Sequence, residues 1–256
     1  MMQSASNLSQ NLSGTSPASF DMPQTVPLKK GRYALQIDDR NITLCIRSEH
    51  PVGLVVWITQ HADEADLLRS CARHSCRMFN LAIVEVKDWN AELSPWPAAK
   101  CMSADDVYAG NASLFLEQIE KRYLPDILEK LPASPSWIGL VGYSMAGLFA
   151  LYASHQPSEY FTRFASVSGS LWYPDFEEWY VNTPFPSNPK AVYLSLGTKE
   201  SKSSNPYLST TADRTQSIAK FLAAKNTPCT FEWNPGNHFQ NPDARLARAI
   251  AWLCRD

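Results

Sequence analysis

Apolar residues in this chain recur in two ways, as short dense runs and as faces at helical spacing. Val52 to Ile58, Phe79 to Val86, Trp137 to Val141, Phe164 to Val167, Ala191 to Leu196 and Cys229 to Trp233 are runs of strand length. Such runs suit strands buried on both faces. Ahead of them, Tyr33 to Ile37 and Ile42 to Ile46 read as two strands joined by the turn residues Asp38-Asp39-Arg40-Asn41, an antiparallel hairpin. Helical spacing predicts a helix over Ala65 to Arg73, with Leu67 and Leu68 on its apolar side, and another over Thr215 to Ala224. Phe115, Ile119, Leu124, Ile127, Leu128 and Leu131 share a helical face, which Pro125 is expected to kink or divide. A terminal helix starts with Asn241 as N-cap and Pro242 at its first position, and Leu246, Ile250 and Leu253 lie on one side. Lys87 to about Gly110, dense in Trp and Pro, is expected to be irregular. Strands alternating with helices imply an α/β fold: a mostly parallel central sheet, an N-terminal antiparallel hairpin, and helices on both faces.

One junction between strand and helix carries chemistry. Gly142-Tyr143-Ser144-Met145-Ala146-Gly147 lies between the apolar run ending at Val141 and the helix-like run Leu148 to Ala153. Strand, sharp turn and helix with a serine at the tip is the setting of a nucleophile elbow, as in the α/β-hydrolase fold. Small neighbours let strand and helix approach, and the turn lifts the hydroxyl clear of the sheet. Alanine stands at 146, where the motif has its last glycine; that position needs a small side chain more than a positive φ.

A serine hydroxyl needs a base within hydrogen-bond reach and a third group to orient that base. In this layout the order is serine, acid, histidine. Two histidines follow Ser144: His155, at the far end of the elbow helix, and His238, in Pro235-Gly236-Asn237-His238-Phe239 just after the last strand, where the base belongs. For the acid, Glu200 follows the strand Ala191 to Leu196, Asp213 opens the next helix, and Asp175, with Glu177 and Glu178, follows the preceding strand. The oxyanion donors expected are the backbone N–H of Met145 and one from the loop Thr59-Gln60-His61, with Gln60 the candidate. Trp89, Trp96, Trp172 and Tyr173 lie in segments after strand ends on the serine side and are expected to line the substrate cleft.

Charge and composition narrow the partners. A net charge of −2 with mixed signs offers no footprint for nucleic acid or an anionic membrane. No apolar run has the length of a membrane-spanning helix. Residues 1–28, rich in Ser, Asn and Gln, read as a flexible tail without the basic and apolar regions of a secretory signal, and 29–256 as one domain. A cytoplasmic address is the expectation. There the six cysteines would be free thiols. Cys71, His74 and Cys76 lack a fourth ligand, so no metal is expected.

Taken in combination, Gly142 to Ala153, Ser168-Gly169-Ser170-Leu171-Trp172, Gly197-Thr198-Lys199-Glu200 and Pro235 to Phe239 resemble the putative esterase family of α/β-hydrolases. That family includes esterase D, enterochelin esterases, feruloyl esterases and mycolyltransferases. The resemblance covers about residues 31 to 255 and implies Ser144 as nucleophile, Glu200 as acid and His238 as base. The chain departs from the family pattern at Ala146 and in lacking Asp-Gly after the third strand. The expectation is a serine hydrolase cleaving a small-molecule carboxylic ester or thioester through an acyl-enzyme, with no cofactor. An acyltransferase would use the same residues but pass the acyl group to a hydroxyl acceptor, and a non-catalytic binding module could share the fold.

Overall fold

The computed structural model describes residues 27–61, 63–99, 101–103, 105–185 and 189–255. Apart from residues 27 and 28, the tail expected over 1–28 lies outside them. The hairpin forms from β1 (Gly31–Ile37) and β2 (Arg40–Ile46). Then come β3 (Gly53–Thr59), α1 (Glu64–Arg73) and β4 (Phe79–Glu85). Asp63 caps α1, its side chain accepting from Asp66 N–H.

The segment expected to be irregular contains three short elements: α2 (Trp89–Leu93), β5 (Pro97–Ala99) and β6 (Val107–Ala109). Asp88 starts α2 by accepting from Ala91 N–H at 2.9 Å. β5 and β6 pair antiparallel as a ribbon separate from the main sheet. Ser94 Oγ closes its base by accepting from Gly110 N–H at 2.8 Å. Local capping and turn bonds build these elements, so no apolar periodicity announces them.

α3 (Ala112–Gln118) runs through a π turn, Ile119–Tyr123, into α4 (Leu124–Lys130). Pro125 neither divides this helix nor stands as a sharp break. The wider turn just before it accommodates the missing N–H and the bulk of its ring. Beyond it lie β7 (Ile138–Tyr143), α5 (Met145–Ser154) and β8 (Phe161–Val167). α6 (Phe176–Asn182) was not anticipated, although Phe176 and Tyr180 form its buried face. The chain then forms β9 (Ala191–Gly197), α7 (Pro206–Ser209), α8 (Thr211–Ala224), β10 (Cys229–Asn234) and α9 (Pro242–Leu253). α8 begins earlier than its apolar spacing suggests. The buried Thr215 hydroxyl, a poor helix signal, donates back to Thr211 O at 2.6 Å. Asn241 does precede α9, but in the left-handed region at φ 53° and without a side-chain cap bond.

Eight strands form one sheet in the order β1-β2-β4-β3-β7-β8-β9-β10. From β4 to β10 every pairing is parallel, and the hairpin joins antiparallel through β2 on β4. Alternate residues of β3 divide between two cores. Leu54, Val56 and Ile58 face the core shared with α3, α5, α6 and α8, while Val55 and Trp57 face the one shared with α1 and α9. Helices therefore cover both faces, as the alternating pattern predicts. His155 ends α5 away from the serine, 1% exposed, with Nε2 3.1 Å from Tyr180 O.

Two outcomes follow. A Cβ at Gly142 would stand 2.0 Å from Ala146 O and 2.7 Å from its Cβ, so Gly142→Ala must push α5 off β7. The expected cost in unfolding free energy is about 3 kcal/mol, read from urea denaturation. Burial holds the His155 imidazole below its ordinary value of 6.5, against the raising effect of backbone hydrogen bonds. The unfolded chain therefore takes up this proton first. Stability is full above about pH 6.5 and falls as pH drops through the folded-state value. The decline in urea midpoint between about pH 7 and 5 should be smaller in His155→Phe than in the parent.

Candidate active site

Ser144 occupies the turn between β7 and α5 with φ 60° and ψ −122°, a backbone that L-residues rarely adopt. Three backbone bonds hold it there. Ser144 N–H donates to Val167 O at 3.1 Å, and its own carbonyl accepts from Leu148 N–H and Ser170 N–H, each at 3.0 Å. Gly147 lies against Gly169, where a Cβ would approach Cα to 3.0 Å, so elbow helix and Ser168–Ser170 loop meet backbone to backbone. Ala146 is fully buried in α5 and absent from the positive-φ residues, so alanine is accommodated there.

His238 Nε2 lies 3.0 Å from Ser144 Oγ, and His238 Nδ1 lies 2.8 Å from Glu200 Oε2. Acid, imidazole and hydroxyl thus form one hydrogen-bonded chain. Asp213, in the first turn of α8, and Asp175, just ahead of α6, lie outside it. Burial alone would raise the Glu200 carboxyl. The hydrogen bond and charge of His238, the Gly197 N–H and the Ser168 hydroxyl outweigh it and hold the group below its ordinary range. Glu200 is therefore ionised at neutral pH, as an orienting group for an imidazole must be.

Sequence reasoning missed the group behind Glu200. Arg245, on α9, is 1% exposed. Its Nη1 donates to Glu200 Oε1 at 2.7 Å and to Ser168 Oγ at 2.9 Å, and its Nη2 to Pro235 O at 3.1 Å and Asn237 O at 2.7 Å. The available signal was a charge beside Leu246 on the core side of an amphipathic helix, where a buried cation must be paired. Tyr143 adds a second tie, its hydroxyl donating to His238 O at 2.5 Å.

Two cavities meet at Ser144. The larger, about 350 Å³, is walled by Trp89, Tyr108, Trp172, Met145, His238 and Phe239. The smaller, about 240 Å³, has Thr59, His61, Asp63, Tyr143 and Asp243 on its walls, and Trp89 borders both. Trp89 and Trp172 thus reach the serine, whereas Trp96 and Tyr173 do not. Trp96 donates from Nε1 to Pro174 O at 3.1 Å and packs edge-on to Trp179, while the fully buried Tyr173 donates to Trp96 O at 2.6 Å. Both are scaffold for the cleft wall, because their polar atoms are spent on each other's segments. Gln60, in the Thr59–His61 loop, lines a further cavity with Arg32 and Glu64. Its neighbours Thr59 and His61 are the loop residues that border Ser144. Phe239, 86% exposed at the rim, entered the sequence reading only as a motif residue beside His238, and Tyr108, from the ribbon, had no part in it.

The family model described as "Putative esterase" matches residues 53–252. The uncharacterized protein YbbA of Bacillus subtilis (strain 168) is 24% identical over 200 residues, 75% of this chain and 80% of that protein. The siderophore hydrolase EstA from Aspergillus nidulans superposes with a TM-score of 0.70 at 18% identity, over 90% of this chain and 97% of that one. An IroE-like serine hydrolase from Shewanella oneidensis does so with a TM-score of 0.69 at 17% identity, over 88% and 80% of the two chains. At these identities the superpositions establish the fold. The family match runs from β3 into α9 and takes in the serine, glutamate and histidine segments: the chain belongs to the Putative esterase family.

Proposed function

We propose that this chain hydrolyses a small-molecule carboxylic ester or thioester, with Ser144 as nucleophile, His238 as general base and Glu200 as the orienting acid. The carrying observation is the unbroken hydrogen-bonded chain Glu200–His238–Ser144, ending on a serine held at positive φ. Ser144 Oγ attacks the carbonyl carbon as His238 Nε2 takes its proton, and Glu200 stabilises the imidazolium that forms. The oxyanion is met by Met145 N–H, at the open start of α5, and by an N–H of the Thr59–His61 loop. His238 then delivers its proton to the leaving oxygen or sulfur, which departs and leaves an acyl-serine. Water, deprotonated by the same imidazole, attacks that acyl group and frees the carboxylic acid.

The larger cavity, with Trp89, Trp172 and Tyr108 on its walls, suits an apolar or aromatic substrate group. Structural relatives bear names such as siderophore hydrolase, and a siderophore ester is compatible with that lining. Residues 29–256 act in this reading as one catalytic domain. Six unpaired cysteines support a reducing, cytoplasmic setting. Among the described residues no helix is long and apolar enough to cross a membrane.

A screen of p-nitrophenyl, aryl and siderophore esters against the parent and Ser144→Ala tests the reading. The variant should lose on the order of 10⁶-fold in kcat and no longer react with a fluorophosphonate probe. Turnover surviving in folded Ser144→Ala overturns the mechanism. Trp89→Ala should raise KM for aryl esters about tenfold, equivalent to about 1.4 kcal/mol. Trp96→Ala should leave KM in place and lower the unfolding free energy by about 3 kcal/mol.

A further inference from the structure

We infer that Arg245 is a positioning residue for the reaction: one buried guanidinium fixes both the acid and the histidine loop. The inference rests on the serine-hydrolase reading above. Its starting point is a distance problem. Ser144 leaves β7, while His238 follows β10, three places away in the sheet. At the usual strand spacing that is about 14 Å. The loop after β10 must therefore fold back across the ends of β9 and β8 to bring the imidazole to the hydroxyl.

Arg245 reaches all four strand ends. Nη1 bonds Ser168 after β8 and Glu200 after β9, and lies 3.3 Å from the Tyr143 hydroxyl at the end of β7. Nη2 bonds the carbonyls of Pro235 and Asn237, on the N-terminal side of His238 in the loop after β10. A planar fork with several fixed donors can do this; a point-charge ammonium cannot. The two oxygens of Glu200 are divided accordingly. Oε1 is taken by Arg245 Nη1 and by Gly197 N–H at 2.6 Å, which leaves Oε2 aimed at His238 Nδ1. Rotation of the carboxylate would break the Oε1 bonds, so the imidazole has one fixed partner.

The test compares Arg245→Lys and Arg245→Met in the full chain, using p-nitrophenyl acetate, with the folded fraction measured by circular dichroism. Arg245→Met should lose about 10²-fold in kcat, as expected for a small misplacement of reacting groups, with KM little changed. Arg245→Lys keeps the charge but loses the fork. It should lose kcat as well, again with KM little changed. If Arg245→Met does not fold, Arg245→Lys decides alone: parental kcat in that folded variant overturns the inference. Losses that only track the unfolded fraction also overturn it. Ser144→Ala is assayed alongside. Turnover surviving there removes the serine-hydrolase reading, whereas its loss beside parental turnover in Arg245→Lys removes the role of Arg245 alone.

Discussion

The buried ion pair between Arg245 and Glu200 is the interaction around which the catalytic end of the sheet is arranged. Parallel strands deliver their following loops to one edge, but they deliver them side by side, each displaced from the next by a strand width. Chemistry at a single carbonyl needs groups from separated strands to converge. Here convergence is enforced by charge in a dry setting: the arginine is 1% exposed and the glutamate side chain 6%. A buried pair is costly to desolvate and, once formed, costly to break from either side. That asymmetry favours a definite geometry more than it favours stability.

A second constraint acts on the other side of the serine. β7, α5 and the Ser168–Ser170 loop approach so closely that Gly142, Gly147 and Gly169 have no room for a Cβ without displacement. The strained φ at Ser144 persists because the hydrogen bonds from Leu148 and Ser170 and to Val167 over-determine it. Strain and ion pair are thus complementary, one fixing the hydroxyl and the other fixing what faces it.

The sequence disclosed the parts of this arrangement that are written in local pattern. Dense apolar runs located the strands of the parallel sheet, and a small-residue turn between strand and helix located the serine. The position of His238 after the last run pointed to the imidazole that meets the serine. Arg245 stayed hidden because its partners are dispersed from residue 143 to residue 237, and no local rule joins them. Trp96 went astray for a related reason. Membership of the correct loop fixes a residue's neighbourhood but not the direction of its side chain, which the packing of neighbouring segments decides. α2 and the β5–β6 ribbon were masked by Pro and Trp, whose local preferences were overridden by the Asp88 cap and the bond from Gly110 to Ser94.

The ribbon carries Tyr108 to the mouth of the larger cavity, yet it pairs only with itself and contributes no strand to the eight-stranded sheet. Its tie to the scaffold is side-chain packing rather than strand pairing, the buried Tyr108 lying edge-on to Trp172 and Tyr173. Change in the two short strands over evolutionary time can therefore reshape the cavity without altering any register of the eight-stranded sheet.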